Sequence, residues 1–363
     1  MSDQLPNFAS RRVIRPPADP KKSPPRHGNQ DPNFNRRKYV RWGFKGLAMV
    51  TGAVLAVAGV SAFDLYNQLN RDNIVLAGVG DVDLNGPLNI LVVGSDTRAG
   101  QGEEFGQVDS ELADVIMLLH ISKDRQDAVV VSFPRDLLVS IPECPNPEGG
   151  TYKAKSRQQI NSSIGYGGVA CTHLTVQEFT GLEIPFVAMI DFKGVIEMSN
   201  AVGGVEVVID KPISDAYSNF YIDAGTHTLM GTEALGFLRT RHGIGDGSDL
   251  ARISNQQLFL MSLFNKIKDD GTLNNPLRLY SLSNAAARNM KLSESMTDLG
   301  TMVTLAGAMR DVDSSKMLFT QVPTKVLSGA EEGRLEAVSE QAQTLFRNIR
   351  NDLPVTLEAT PTP

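Results

Sequence analysis

The chain has 363 residues with a formal net charge of -6, and 41% of its residues are hydrophobic and 21% charged. This length and apolar content suit one large or two ordinary domains with a well-filled core. Residues 1–45 carry 11 Lys/Arg against 3 Asp/Glu, a balance of +8, so the rest of the chain carries -14. An acidic remainder argues against binding of nucleic acid over the whole surface. The two cysteines of the sequence are too few for a framework of several disulfides.

The first 85 residues predict a tail, a membrane anchor and a linker. Residues 1–45 hold many Pro, Arg, Lys and Asn and few large apolar groups, which predicts a disordered cytoplasmic tail. An uncharged run of 18 residues then predicts a transmembrane helix over 46–65, followed by a linker over 66–85. The basic cluster before this helix keeps the N-terminus in the cytoplasm and places the rest outside the cell. A cleaved signal peptide is the alternative, because Val60-Ser61-Ala62 suits a signal peptidase, although its N-terminal region would be unusually long.

Short runs rich in Val, Ile and Leu alternate with helical patterns from about residue 86 onward. This alternation predicts an α/β domain with helices layered on both faces of a sheet. We place the domain at 86–350, with a core over 86–268, a C-terminal elaboration over 269–350 and a frayed tail over 351–363. The predicted strands are 88–96, 113–122, 127–136, 185–191, 205–210 and 317–323. The predicted helices are 158–166, 172–180, 192–201, 232–241, 250–268, 278–290, 298–309 and 335–348.

Two carboxylates lie at the ends of neighbouring predicted strands. Asp96 follows the first strand and Asp114 begins the second. Ligand sites in α/β sheets collect at strand ends. Two oxygen ligands of this kind suit Mg²⁺, with Mn²⁺ as the alternative ion, because magnesium binds through one or two carboxylates plus substrate phosphates. An equally open interpretation is that Asp96 caps a turn and Asp114 pairs with an arginine.

A group of arginines follows later in the chain. Arg239 and Arg241 close a predicted helix, and Arg252 and Gln256 lie one turn apart on the next, which Asp249 caps. Several arginines repel one another unless they surround an anion, and guanidinium groups bind phosphate bidentately. The alternative is that Arg239 and Arg252 only pair with Asp249. With the carboxylates, the arginines favour a magnesium–diphosphate site, and the chain carries neither a P-loop nor a G-x-S-x-G motif.

In the order and spacing of these motifs the chain resembles the LytR-CpsA-Psr family of bacterial cell-wall ligases. The resemblance implies a three-layer α/β/α sandwich with a mixed central sheet and an apolar pocket for a lipid tail. It also implies an enzyme that moves a glycan phosphate from a polyprenyl-diphosphate carrier to peptidoglycan. The matching stretches are NILVVGSDTR (89–98), ADVIMLL (113–119), VSFPRDLLVSIP (131–142), INSSIGYGG (160–168) and LRTRHGIGDGSDLARISNQQLFL (238–260).

The resemblance also assigns roles to individual residues. Asp96 and Asp114 are expected to hold magnesium. Asp136 and Asp249 are expected to orient arginines, and Asp249 alternatively to assist the acceptor hydroxyl. The residues expected around the diphosphate are Arg98, Arg135, Arg239 and Arg241, with Arg252 and Gln256 matching further positions of the site.

The chain departs from the family pattern at two positions. Leu112 and Gln159 stand where many members carry basic residues, which lowers the positive charge near the diphosphate; Lys155 and Arg157 are the candidates to compensate. The two cysteines, Cys144 and Cys171, flank the 160–168 motif in a compartment expected to be oxidising. We therefore predict a disulfide between them rather than free thiols.

Two other functions fit the same residues. One is a phosphatase or pyrophosphatase that acts on lipid diphosphates with water as the acceptor. The other is a non-enzymatic regulator or scaffold of the cell envelope, although no helix-turn-helix pattern supports DNA binding. The partners expected are the lipid-linked glycan donor, peptidoglycan and membrane lipid, with no nucleic acid. Teichoic acid, arabinogalactan and capsule all remain open as the glycan.

Overall fold

The computed structural model describes residues 73–76, 80, 82–96, 112–146, 148–241 and 249–355. The predicted cytoplasmic tail, the predicted transmembrane helix over 46–65 and Arg98 lie outside these residues. Among the helices of the described ranges, none is both long and apolar enough to span a bilayer.

The described chain alternates strands and helices. The strands are β1 Leu88–Ser95, β2 Ala113–Ile121, β3 Ala128–Ser132, β4 Leu138–Ile141, β5 Cys144–Pro145, β6 Thr151–Tyr152, β7 Lys155–Gln159, β8 Phe186–Ile190, β9 Val205–Ile209, β10 Ile213–Asp215, β11 Phe220–Ile222, β12 Gly225–Leu229, β13 Met290–Leu292, β14 Met317–Gln321, β15 Thr324–Val326 and β16 Leu335–Ala337. The α-helices are α1 Ser163–Thr180, α2 Phe192–Ala201, α3 Gly231–Arg239, α4 Asp249–Asp269, α5 Pro276–Asn289, α6 Leu299–Asp311 and α7 Ser339–Arg350.

Six strands form the central sheet in the order β13-β8-β1-β2-β3-β14. The β1–β8 and β3–β14 pairs are parallel and the other three pairs are antiparallel, so the sheet is mixed. The prediction of an α/β fold with a mixed central sheet is therefore confirmed. Both edge strands, β13 and β14, come from the C-terminal segment over 269–350, which shares the sheet with the segment before it.

Apolar side chains on both faces of the sheet hold the helices against it. On one face, Val176 of α1 and Phe346 of α7 pack with alternate strand residues such as Leu91 and Leu118. On the other face, Phe264 of α4 and Leu305 of α6 pack with the opposite set of strand residues. Because successive side chains of a strand point to opposite faces, these uninterrupted apolar strands bury both sides. The result is three layers, helix on sheet on helix.

A β-bulge in β2 changes the direction of one carboxylate. Gly94 pairs with Val115 but the next residue, Ser95, pairs with Ala113, so Asp114 is the extra residue of β2. The bulge interrupts the alternation of side chains, so Ala113 packs in the same core as Ile116. Asp114 is thereby turned to the opposite face of the sheet. Gly94 permits this close approach, since a Cβ there would lie 2.9 Å from that of Val115.

Two helix predictions are wrong at their N-terminal ends. Residues 155–159 form β7, which pairs with β4, and the α-helix begins only at Ser163. Residues 335–337 form β16, and the last helix begins at Ser339. In both places hydrogen bonds to another strand, β4 for β7 and β15 for β16, outweigh the local helical pattern. The helix predicted over 192–201 is confirmed at both ends, and the strands predicted over 88–96, 113–122, 185–191, 205–210 and 317–323 are present within a few residues.

Candidate active site

An apolar cavity of about 340 Å³ lies between the sheet and helices α2 to α5. Its walls are formed by strand residues such as Val92 and Met117 and by helix residues such as Val195, Leu238 and Leu263. Polar side chains also line this cavity, among them Ser95, Asp114, Arg239, Arg252 and Gln256. We call this group the polar mouth of the pocket. A cavity of this composition suits an amphiphile with an apolar body and an anionic head.

Asp114 is paired with two arginines at the polar mouth. Its Oδ1 accepts a hydrogen bond from Arg135 Nη1 at 3.1 Å and one from Arg252 Nη1 at 3.4 Å. Arg252 Nη2 also donates to the backbone carbonyl of Asp114 at 3.0 Å. The Arg252 side chain is only 7% exposed, so its charge needs this carboxylate as a partner. The predicted pairing of Asp114 with an arginine is therefore present.

Arg239 enters the polar mouth from the last residue of α3. Its guanidinium carbon lies 4.5 Å from the centre of the Phe192 ring, a cation–π contact that orients the group. Phe192 is the first residue of α2, and Asp191 caps that helix by accepting a hydrogen bond from Gly194 N at 2.7 Å. The start of α2 thus sets where Arg239 lies.

The backbone at Arg241 is held by Asp215, a residue that sequence reasoning missed. Asp215 ends β10 and is 1% exposed. Its Oδ2 accepts hydrogen bonds from Thr240 Oγ1 and from Arg241 N, both at 2.9 Å. Its Oδ1 accepts from Tyr217 N, also at 2.9 Å. The available signal was a carboxylate inside an apolar strand pair, which needs hydrogen-bond donors when it is buried.

Asp136 lies beside Arg135 and not at the cavity wall. Its Oδ2 is 3.6 Å from Arg135 Nε, and its Oδ1 accepts hydrogen bonds from Gln159 Nε2 and from Arg334 Nη1, the latter at 3.3 Å. Asp136 therefore forms ion pairs with Arg135 and Arg334. The two basic residues proposed to compensate for Gln159 make other contacts. Arg157 pairs with glutamates of the C-terminal segment, and Lys155 lies over the Tyr166 ring.

The remaining predicted site residues lie on α4, at the end of β1, in β5 and in α1. Gln256 is buried, and its Nε2 donates to the Leu238 carbonyl at 3.2 Å, which ties α4 to α3. Helix α4 begins at Asp249, whose side chain lies outside the described structure. Cys144 and Cys171 are joined by a disulfide with a Cα–Cα distance of 5.1 Å.

The two residues predicted to hold a metal ion, Asp96 and Asp114, lie just after β1 and within β2. Asp96 Oδ1 accepts a hydrogen bond from Leu112 N at 2.8 Å, so this carboxylate closes the ends of the segment between the two residues. Asp114 Oδ1 accepts the hydrogen bonds from both arginines. The described ranges contain no group of three or more His, Cys, Asp or Glu able to bind a metal.

The described structure is an α/β sandwich with an apolar cavity whose polar mouth holds a carboxylate and two arginines. A model of the LytR-CpsA-Psr family (LytR_cpsA_psr) matches residues 36–351, and the chain belongs to this family.

Several relatives have names that state a function. The "Cell wall biosynthesis protein LcpA" of Corynebacterium glutamicum is 28% identical over 78% of this chain, which spans only 60% of that relative's length. The "Polyisoprenyl-teichoic acid--peptidoglycan teichoic acid transferase TagT" of Bacillus subtilis is 25% identical over 88% of this chain and 97% of its own. Among solved structures, the "LytR-Csp2A-Psr enzyme from Actinomyces oris" has a TM-score of 0.58 at 19% identity, covering 77% of this chain and 95% of its own. At that identity the likeness concerns the fold alone.

Proposed function

We propose that this chain is a phosphotransferase that moves a glycan phosphate from a polyprenyl-diphosphate carrier to peptidoglycan. One observation carries the proposal: an apolar cavity opens directly onto Asp114, Arg239 and Arg252. A polyprenyl tail and a diphosphate have the two properties that this cavity joins. The functions named for the relatives, cell-wall biosynthesis and teichoic acid transfer to peptidoglycan, support the same reaction.

The arginines of the site are suited to an anionic transition state. A peptidoglycan hydroxyl attacks the phosphorus that carries the glycan, and the phosphoanhydride bond to the lipid phosphate breaks. Arg135, Arg239 and Arg241 stabilise the charge that develops on the diphosphate oxygens, and we assign Arg98 to the same group. Since guanidinium groups stay protonated, they supply this charge at every physiological pH. Asp249, at the start of α4, is proposed to orient an arginine or to assist the acceptor hydroxyl.

We further propose that Asp96 and Asp114 hold Mg²⁺, with Mn²⁺ as a substitute. The ion would supply a positive charge beside the leaving lipid phosphate. The chain's own contribution is to keep Asp114 in place through Arg135 and Arg252, which lowers the reorganisation that metal binding would require.

We also propose a location for the domain. A transmembrane helix over 46–65 would hold it at the outer face of the cell membrane, with residues 1–45 in the cytoplasm. A disulfide between Cys144 and Cys171 supports an exported domain, because disulfides persist in oxidising compartments.

A transfer assay tests the proposed reaction. The full chain in detergent is given a polyprenyl-diphosphate-linked sugar, peptidoglycan oligomers and Mg²⁺, and the products are analysed by mass spectrometry. We expect a phosphosugar–peptidoglycan adduct, reduced about 100-fold or more in the D114N and R241Q variants. R310Q, which alters an exposed arginine of α6, is the matched control and should keep full activity.

The other outcomes separate the alternatives. Free phosphosugar in the presence of acceptor would indicate a lipid-diphosphate hydrolase. An absence of product with every donor, together with no binding of a polyprenyl diphosphate, would contradict the enzyme and favour an envelope scaffold. Full transfer by both site variants would leave the enzyme in place but remove the polar mouth from its mechanism.

A further inference from the structure

We infer that Arg334, in the C-terminal segment, is a positioning residue of the proposed transferase site. It acts on Arg135 through the carboxylate of Asp136. This inference rests on the proposed function, because Arg135 is taken to bind the donor diphosphate. Arg334 lies 199 positions after Arg135 in the chain, and none of the motifs that predict the site includes it.

Four charged side chains form a continuous row. Arg334 Nη1 lies 3.3 Å from Asp136 Oδ1, and Asp136 Oδ2 lies 3.6 Å from Arg135 Nε. Arg135 Nη1 in turn lies 3.1 Å from Asp114 Oδ1 at the polar mouth. Charges therefore alternate along the row, with Arg334 at the outer end and the cavity at the inner end.

The second side chain that contacts Asp136 Oδ1, beside Arg334, is neutral. Gln159 Nε2 donates a hydrogen bond to the same oxygen, Asp136 Oδ1, but brings no charge. Without Arg334, the full negative charge of Asp136 would act on Arg135 alone. Arg334 offsets part of that charge, so Arg135 is drawn less strongly away from an anion in the cavity. A lysine at position 159 would place a cation against the same carboxylate, and Arg334 supplies that charge from another part of the chain.

Backbone contacts fix Arg334 at this place. Leu335 N donates to the Asp136 carbonyl at 3.1 Å, and Leu335 also forms a parallel bridge with Leu137. The hairpin of β15 and β16 is tied to β7 as well, since Arg157 contacts Glu331 and lies 3.1 Å from Glu336. Because β7 ends at Gln159, the hairpin and the Asp136 neighbourhood are held as one unit.

Binding of a soluble donor fragment tests the inference. The full chain in detergent is titrated with farnesyl diphosphate by calorimetry. We expect R334Q to weaken binding about fivefold, the scale of a partly exposed ion pair, because its side chain is 42% exposed. The Q159K/R334Q double variant should bind within about twofold of wild type, since the lysine restores the cation. R310Q is the matched control, an exposed Arg–Asp pair on α6 that should leave binding unchanged.

A second measurement needs no ligand. If Arg334 and Arg135 share Asp136, the R135Q/R334Q double variant should lower the unfolding midpoint by more than the two single variants together, because Asp136 then loses both cations. Strictly additive changes would overturn the inference. So would wild-type binding by R334Q, or a loss in R334Q that Q159K does not restore, which would mark Arg334 as merely structural. Failure of the wild-type chain to bind farnesyl diphosphate would count against the proposed function, and the unfolding cycle would then decide the inference by itself.

Discussion

Asp215 accepts a hydrogen bond from the backbone N–H of Arg241 at 2.9 Å, although the two residues are 26 positions apart. The same oxygen accepts from the Thr240 hydroxyl, which is fully buried. The β10–β11 hairpin therefore determines the path of the chain directly after α3. Arg241 belongs to this stretch and Arg239 ends the helix before it, so a carboxylate outside the cavity fixes the backbone between two arginines of the proposed site.

Replacement of Asp215 tests this control. D215N keeps the shape of the side chain. Its NH₂ group is a hydrogen-bond donor, however, and cannot accept the hydrogen bonds that the carboxylate oxygen in its place accepted. We expect the free energy of unfolding to fall by about 1–3 kcal/mol, because buried donors lose their acceptor. Donor binding should weaken as well, as measured by farnesyl diphosphate titration. D223N, which alters an exposed residue beyond the same hairpin, should do neither; equal effects in both variants would contradict the prediction.

Filling the apolar cavity should separate recognition of the tail from recognition of the head group. Val195 of α2 lines the cavity, and V195F would occupy part of its volume. The phenyl group would take volume from the tail, so affinity for farnesyl diphosphate should fall about tenfold, or about 1.4 kcal/mol. Inorganic diphosphate should bind as it does to wild type. V303F, on an exposed part of α6, is the matched control, and a loss of inorganic diphosphate binding in V195F would show that the cavity is not a tail site.

The disulfide should contribute to stability without contributing to catalysis. Cys144 and Cys171 are separated by 27 positions, and a loop of this length is stabilised by about 3 kcal/mol through the lower entropy of the unfolded chain. We expect the C144A/C171A double variant to lose roughly that free energy of unfolding and to keep transfer activity in the cold. Labelling of both cysteines in the native chain without reductant would contradict the prediction, because it requires free thiols.

His173 should make the fold sensitive to acid. Burial in α1 lowers the pKa of His173 below its ordinary value of 6.5, and the hydrogen bond with the Ile184 carbonyl opposes that shift only in part. As the pH falls below about 6.5, the unfolded chain takes up this proton before the folded chain does. The free energy of unfolding should therefore decrease below that pH, by at most about 1.4 kcal/mol per pH unit for one proton.

The H173Q variant isolates this contribution. Denaturant unfolding between pH 8 and pH 5 should show a shallower decline than in wild type, and the value at pH 8 measures the cost of the substitution itself. A residual decline is expected from His120, whose pKa burial also lowers against the opposing charge of Asp352. An unchanged pH dependence in H173Q would show that His173 does not carry the effect.

Much of the fold could be predicted because its strands and helices bury large apolar faces. The strand over 88–95 is apolar along nearly its whole length, and the helix over 192–201 has a capping aspartate directly before it. Such local patterns are sufficient to identify elements. The helices predicted over 158–166 and 335–348 were wrong at their start, because residues 155–159 pair with β4 and residues 335–337 pair with β15.

The sequence by itself determined which charged groups are available to the polar mouth, since carboxylates at strand ends and arginines around one turn can be identified from the order of the residues. Only the tertiary structure decided which of these groups meet. The bulge at Asp114 turns that carboxylate toward the cavity, and Asp215 and Arg334 reach Arg241 and Asp136 from remote parts of the chain. A bulge and a long-range ion pair depend on how strands and segments pack, and neither leaves a periodic signal in the order of the residues.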